Sequence, residues 1–168
     1  KYYEDLGNRL MHGEFEDADS IRLDDSLRFT TPGGKTVYGG GGIMPDIFIP
    51  IDTVGLTDYF LSIRNSGLLY RHAMKFTEDN REAMGRYKDL PALDKWLSGQ
   101  DLLSKFVAFA GQNGIPPIRD QIAVSEKIML VQLKAYIARN MLDNKGFYPI
   151  WQEIDKTLLD ALSHLEGN

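Results

Sequence analysis

The groups in this sequence that could do chemistry are three histidines, a run of carboxylates, and several serines with lysine neighbours. His12 sits in a polar leading segment, His72 beside apolar residues at helical spacing, and His164 near the C-terminus. A Ser-His-Asp device needs its three groups within hydrogen-bond reach. None of these histidines accompanies a G-x-S-x-G elbow, the sharp turn that presents a nucleophilic serine. Each therefore reads as a packing or surface residue. A lysine can replace histidine as general base only where burial or positive neighbours lower its pKa. The neighbouring pairs are Ser104-Lys105 and Ser125-Glu126-Lys127. Adjacent helical positions point about 100° apart and do not face one another. Both pairs are expected on solvated helix surface, and so are Glu153 and Asp155. Trp96 and Trp151 are expected to pack in a core or an interface.

Two further patterns invite a ligand. Glu14, Glu16, Asp17, Asp19, Asp24 and Asp25 form an acidic run. Counted from Asp17, a calcium loop of the EF-hand type would place Ile21 at its third ligand, Arg22 at its obligatory glycine and Arg28 at its final glutamate. The run therefore reads as a solvated acidic loop. Gly39-Gly40-Gly41-Gly42 suggests a phosphate cradle, but a P-loop continues with Lys and then Ser or Thr at the start of a helix. Here Ile43-Met44-Pro45 follows. No catalytic, cofactor-binding or metal-ligating residue is assigned from the sequence, and no cofactor is expected.

Composition agrees with a globular chain: 43% hydrophobic, 26% charged, and no cysteine to form disulfides or thiolate metal sites. The net charge of −5, with its basic residues scattered, argues against nucleic acid as partner. No apolar run reaches the ~18 residues that a membrane-spanning helix needs. The chain begins Lys-Tyr-Tyr with no methionine, which suggests a piece of something larger.

The elements that must position these groups fall into two parts. Residues 1–25 are polar, and Gly7 and Gly13 interrupt the helical spacing of Tyr2, Tyr3, Leu6 and Leu10, so an irregular segment is expected. Two strands, Leu27 to Thr31 and Lys35 to Tyr38, flank Pro32-Gly33, which reads as a type II turn with Gly33 taking the positive φ. The glycine run supplies a corner, and Ile43 to Ile51 an edge segment bounded by Pro45 and Pro50. From Asp52 the apolar period changes from two to about 3.6. Thr57, Asp89, Asp101 and Asp120 are placed to cap helices, and Asn65-Ser66-Gly67 to end the first of them. The helix from Asp120 to about Leu142 carries two apolar stripes, one through Val124, Ile128, Val131, Ala135, Ala138 and Leu142, the other through Leu130, Leu133, Ile137 and Met141. Such a wide apolar face predicts the central helix of a bundle. Gly146 is expected to stop it, and Pro149 to open a last helix with Ile150, Ile154, Leu158, Ala161, Leu162 and Leu165 on one face. The expected fold class is α+β: a short hairpin and edge-strand region over 1–51, then a helical bundle over 52–168.

Arg28-Phe-Thr-Thr-Pro-Gly-Gly-Lys-Thr-Val37, followed by Gly-Ile43-Met-Pro-Asp46-Ile47, resembles the carboxyl-terminal processing (tail-specific) serine peptidases, in which a Y-T-P-S-G-R-like hairpin leads to G-I-x-P-D-I. Gln132-Leu-Lys-Ala-Tyr-Ile-Ala-Arg-Asn140 and Gly146-Phe-Tyr-Pro149 look like the helical tail of longer, Bacteroidetes-type members. The resemblance runs from about Asp17 to the end. It implies a periplasmic or envelope-associated endopeptidase with a Ser nucleophile and a Lys base, acting on protein or peptide substrates whose C-termini a PDZ domain captures. The G-S-A-S-like nucleophile motif and its lysine lie upstream of the hairpin in that family and do not occur here, so no catalytic residue carries over. The implied role is the inert C-terminal portion of such an enzyme, with unpaired strand edges open to self-association. The alternative is a non-catalytic helical interaction module.

Overall fold

The computed structural model describes residues 2–21, 24–39 and 47–167. The chain divides into two units, Lys1–Asp52 and Thr53–Asn168.

The first unit opens with helix α1, Tyr2–Met11, where an irregular segment was expected. One internal glycine costs a helix only about 1 kcal/mol, and Gly7 falls inside α1 without ending it. Gly13 does end the segment, at φ +75°. Arg9 Nε then donates to Glu14 Oε2 at 2.8 Å, and the Arg9 guanidinium lies 5.3 Å from the Phe15 ring centroid. Two single-turn 3-10 helices follow, Ala18–Ser20 and Asp25–Leu27, capped by the carboxylates of Asp17 and Asp24. Strands β1 (Arg28–Thr30) and β2 (Thr36–Tyr38) pair antiparallel, with Phe29 opposite Val37.

The hairpin turn differs from expectation. Gly34 has the positive φ, +81°, and Gly33 does not, which excludes a type II turn over Pro32-Gly33. The Gly34 amide donates to the Thr31 carbonyl at 2.9 Å, and the Thr31 amide to the Lys35 carbonyl at 2.9 Å. This closes a three-residue loop in which the last residue is left-handed. The second glycine of the pair supplies the conformation, because the strands need the extra residue to match their twist. The glycine run beyond Gly39, and Ile43 to Asp46, lie outside the described residues.

The second unit is helical: α2 (Asp58–Asn65), α3 (Leu68–Met84), α4 (Leu90–Ser98), α5 (Leu102–Gln112), α6 (Arg119–Leu142), α7 (Asn144–Trp151) and α8 (Lys156–Leu165). Thr57, Asp89 and Asp101 cap α2, α4 and α5 through side-chain oxygens that accept the Phe60, Ala92 and Ser104 amides. Gly67, left-handed at φ +68°, separates α2 from α3. Helix α6 is the hub on which α2, α3, α4, α5 and α7 pack.

Around α6 the core forms two clusters. One holds Tyr59, Phe60, Ile63, Phe106, Met129 and Leu133 between α2, α5 and α6, with Leu68, Leu69 and Ala110. The other centres on Phe76, Leu93, Leu97, Ala135, Ile137 and Ile150. Each fully buried large apolar side chain contributes about 1.5–3 kcal/mol relative to exposure. Lys134 ties α6 to α4, donating to Asp94 Oδ1 at 2.9 Å and to Ser98 Oγ at 2.8 Å.

Four expectations for the C-terminal half are corrected: the cap of α6, its buried face, the stop at Gly146 and the opening of the last helix at Pro149. Helix α6 starts at Arg119, one residue early, with Asp120 in its first turn and no side-chain cap. Val124 faces solvent (62% exposed), and Ser125 and Met129 are buried instead. The Ser125 hydroxyl donates to the Gly55 carbonyl at 2.7 Å and sits 2.8 Å from Thr57 Oγ1, which fixes the rotation of the helix start. Gly146 lies inside α7 and does not stop a helix; a Cβ there would collide with the Ala138 carbonyl, so glycine is what lets α7 lie against α6. Pro149 is likewise internal to α7. The break falls later, at the 3-10 turn Gln152–Ile154, after which Asp155 caps α8. No residue of α8 is buried, and Leu165 is 84% exposed. Between α6 and α7, Asp143 holds φ +54° and ψ −145°.

Candidate functional site

Helices α3 and α5 lie against each other, and each presents a face at three-and-four spacing. On α3 this face is His72, Lys75, Phe76, Asp79 and Asn80; on α5 it is Lys105, Ala108, Phe109 and Gln112. Residues at such spacing share one side of a helix, so the two faces form the walls of a groove of about 410 Å³.

The floor is aromatic. The His72 ring lies 5.5 Å from that of Phe106 and 5.0 Å from that of Phe109. His72 is 7% exposed, and both ring nitrogens are buried without a hydrogen-bond partner. Unpaired buried polar atoms are costly, and native structures rarely leave them so. Burial holds the His72 pKa below its ordinary value; the positive charges of Lys75 and Lys105 push the same way, and Asp79 opposes them. The histidine is therefore neutral near pH 7.

The rim is charged. Lys75 Nζ pairs with Asp79 Oδ2 at 2.9 Å. The Lys105 ammonium lies 5.8 Å from the Phe76 ring centroid and has no carboxylate partner among the described residues. The Asn80 amide donates to the Phe76 carbonyl at 2.8 Å. No serine lines the groove, and its one carboxylate is engaged by Lys75. Nothing here orients His72 as a general base, because that task needs an acceptor on the far ring nitrogen. The arrangement can bind, and no hydroxyl nucleophile lines it.

The other groups singled out in the sequence lie apart. His12 Nδ1 is 2.6 Å from the Asn8 carbonyl on an exposed turn, and His164 is exposed on α8. Ser125 is fully buried, against the expected solvated surface, while Lys127 on the same helix is exposed. Asp17 and Asp24 are spent on capping their own 3-10 turns, and Arg22 lies outside the described residues. Among the described residues no three His, Asp or Glu side chains gather to hold a metal ion. Asp155 accepts the Leu158 amide at 3.0 Å. Trp96 and Trp151 are half-buried and pack on the core. Sequence reasoning placed His72 and Lys105 on separate helices without joining them. The matching spacing of the two faces was the available signal.

Among the described residues no helix is long and apolar enough to cross a membrane. The chain matches no curated protein and no solved structure. A family model does match residues 59–143, which run from α2 to the joint after α6 and make up just over half of the chain. The α3–α5 groove thus falls within the matched region, and the chain belongs to that family, a family of unknown function (DUF8443).

Proposed function

We propose that the chain is the C-terminal portion of a serine-type endopeptidase of the carboxyl-terminal processing kind. In this reading residues 1–51 close a catalytic domain, the helical unit is a non-catalytic appendage, and the enzyme works in the periplasm or cell envelope on protein or peptide substrates. The sequence resemblance suggests this, and one observation supports it: among the described residues of the first unit the only buried side chain is Glu14. Phe29 and Val37 face each other across the hairpin at 58% and 38% exposed. A two-stranded ribbon with both apolar partners in water is marginal by itself. It suits a sheet edge whose neighbours and core are supplied by another part of a larger protein, and it would self-associate through its strand edges when those are missing.

The direct test is to read the codons upstream of Lys1 and assay the product. The expected finding is a small-residue motif bearing serine, a lysine after it, and a PDZ segment. The longer protein should cleave unfolded substrates and the 168-residue chain should not. An initiator codon immediately before Lys1, or cleavage that co-purifies with the 168-residue chain, would overturn the proposal.

A second reading, a helical interaction module, has its own support. Tyr70, Tyr136, Phe147 and Trp151 form a continuous ring-to-ring chain over α3, α6 and α7, with Arg139 5.3 Å from the Phe147 centroid. Half-exposed aromatics beside arginine are typical of binding hot spots.

A further inference from the structure

We infer that the α3–α5 groove is a binding site for a monocarboxylate carried on an apolar, preferably aromatic, stem. Two observations carry this, and neither depends on the parent being a peptidase. The first is charge. The net charge of the chain is −5, yet the groove walls carry Lys75 and Lys105 against Asp79 alone. Lys75 is paired, which leaves Lys105 as a single uncompensated cation. One positive charge matches one carboxylate; a phosphate dianion would leave a charge unbalanced, and no guanidinium lines the walls to grip it bidentately.

The second observation is the floor. Phe76, Phe109 and the His72 ring present aromatic surface beneath Lys105. A free acetate-like ion would use none of it, whereas an apolar stem would exclude water there and strengthen the ion pair above. His72 adds to that floor as a neutral ring, its two nitrogens buried. Lys105 supplies the charge, and Phe76, Phe109 and the His72 ring the stem contact.

The test is an NMR titration of the 168-residue chain with 3-phenylpropionate, followed at the His72 and Phe109 rings. Saturable shifts confined to α3 and α5 are expected. Its uncharged analogue, 3-phenylpropanamide, should bind about tenfold more weakly or less, as should the carboxylate to Lys105→Gln, since each removes a charge-assisted contact. Lys105 is exposed, so the variant's unfolding midpoint should stay near that of the parent chain. The inference is overturned by absence of saturable shifts up to ~10 mM ligand. Equal binding of acid and amide, or an unchanged affinity in Lys105→Gln, would also overturn it. Inorganic phosphate binding as tightly as 3-phenylpropionate would remove the role of the stem and overturn it too.

Discussion

The two units of this chain solve the same problem in opposite ways. In the helical unit, α6 is surrounded on several sides and two apolar clusters meet along it. In the leading unit the backbone is well bonded, through α1, two capped turns and a hairpin, but the described apolar side chains find no interior. Local hydrogen bonding and capping are therefore present in both, and only one has the burial that stabilises a fold. The contrast shows that a segment can carry every local signal of structure without an interior of its own.

The contrast can be broken by substitution. Phe106 is fully buried in the α2–α5–α6 cluster. Phe106→Ala is expected to cost about 3–5 kcal/mol, read as a fall in the urea midpoint of the helical unit. Gly146→Ala should cost less, about 1–3 kcal/mol, because α7 must shift to relieve the contact with the Ala138 carbonyl. Unchanged stability there would mean that α7 is not held closely to α6.

A pH comparison is finer. His72 is held neutral in the folded unit, with its pKa lowered from 6.5, so below pH 6.5 the unfolded chain binds the extra proton first. Its contribution to stability is complete above pH 6.5 and is lost as pH falls toward the depressed folded value. His72→Leu should remove that part of the acid sensitivity, seen as a smaller drop in urea midpoint between pH 7.5 and 5.5. The smallest effect belongs to the leading unit: Phe29→Ala should change stability by no more than about 0.5 kcal/mol. A large loss there would show that Phe29 is buried against something after all.

Much of the helical unit was legible in its sequence, because caps and stops are local. Thr57, Asp89, Asp101 and Gly67 act where their residue types predict. The misreadings concern residues whose meaning is set by distant neighbours. Gly146 resembles a helix stop in isolation, but its role is fixed by a carbonyl on the preceding helix. Val124 belongs to an apolar stripe by spacing, yet Ser125 turns inward because Gly55 and Thr57 offer it hydrogen bonds. The positive φ moved from Gly33 to Gly34 because strand register, and not the Pro-Gly pair, decides the loop length. The groove was hidden for the same reason. Its floor histidine looked like a half-buried packing residue, and its uncompensated lysine looked like surface, until two helices came together.

The joint between α6 and α7 has a mechanical consequence. Asp143 holds a left-handed φ that favours glycine, and no side-chain cap bond eases it. Such a residue stores about 1–3 kcal/mol of backbone strain, which surrounding packing must hold in place. Here the clamp is the seat of α7 on α6, made close by Gly146 and by the Tyr136 ring of α6 packing on those of Phe147 and Trp151. Lifting α7 off α6 would relieve that strain while exposing their contact, so the joint works against part of what holds the helix down.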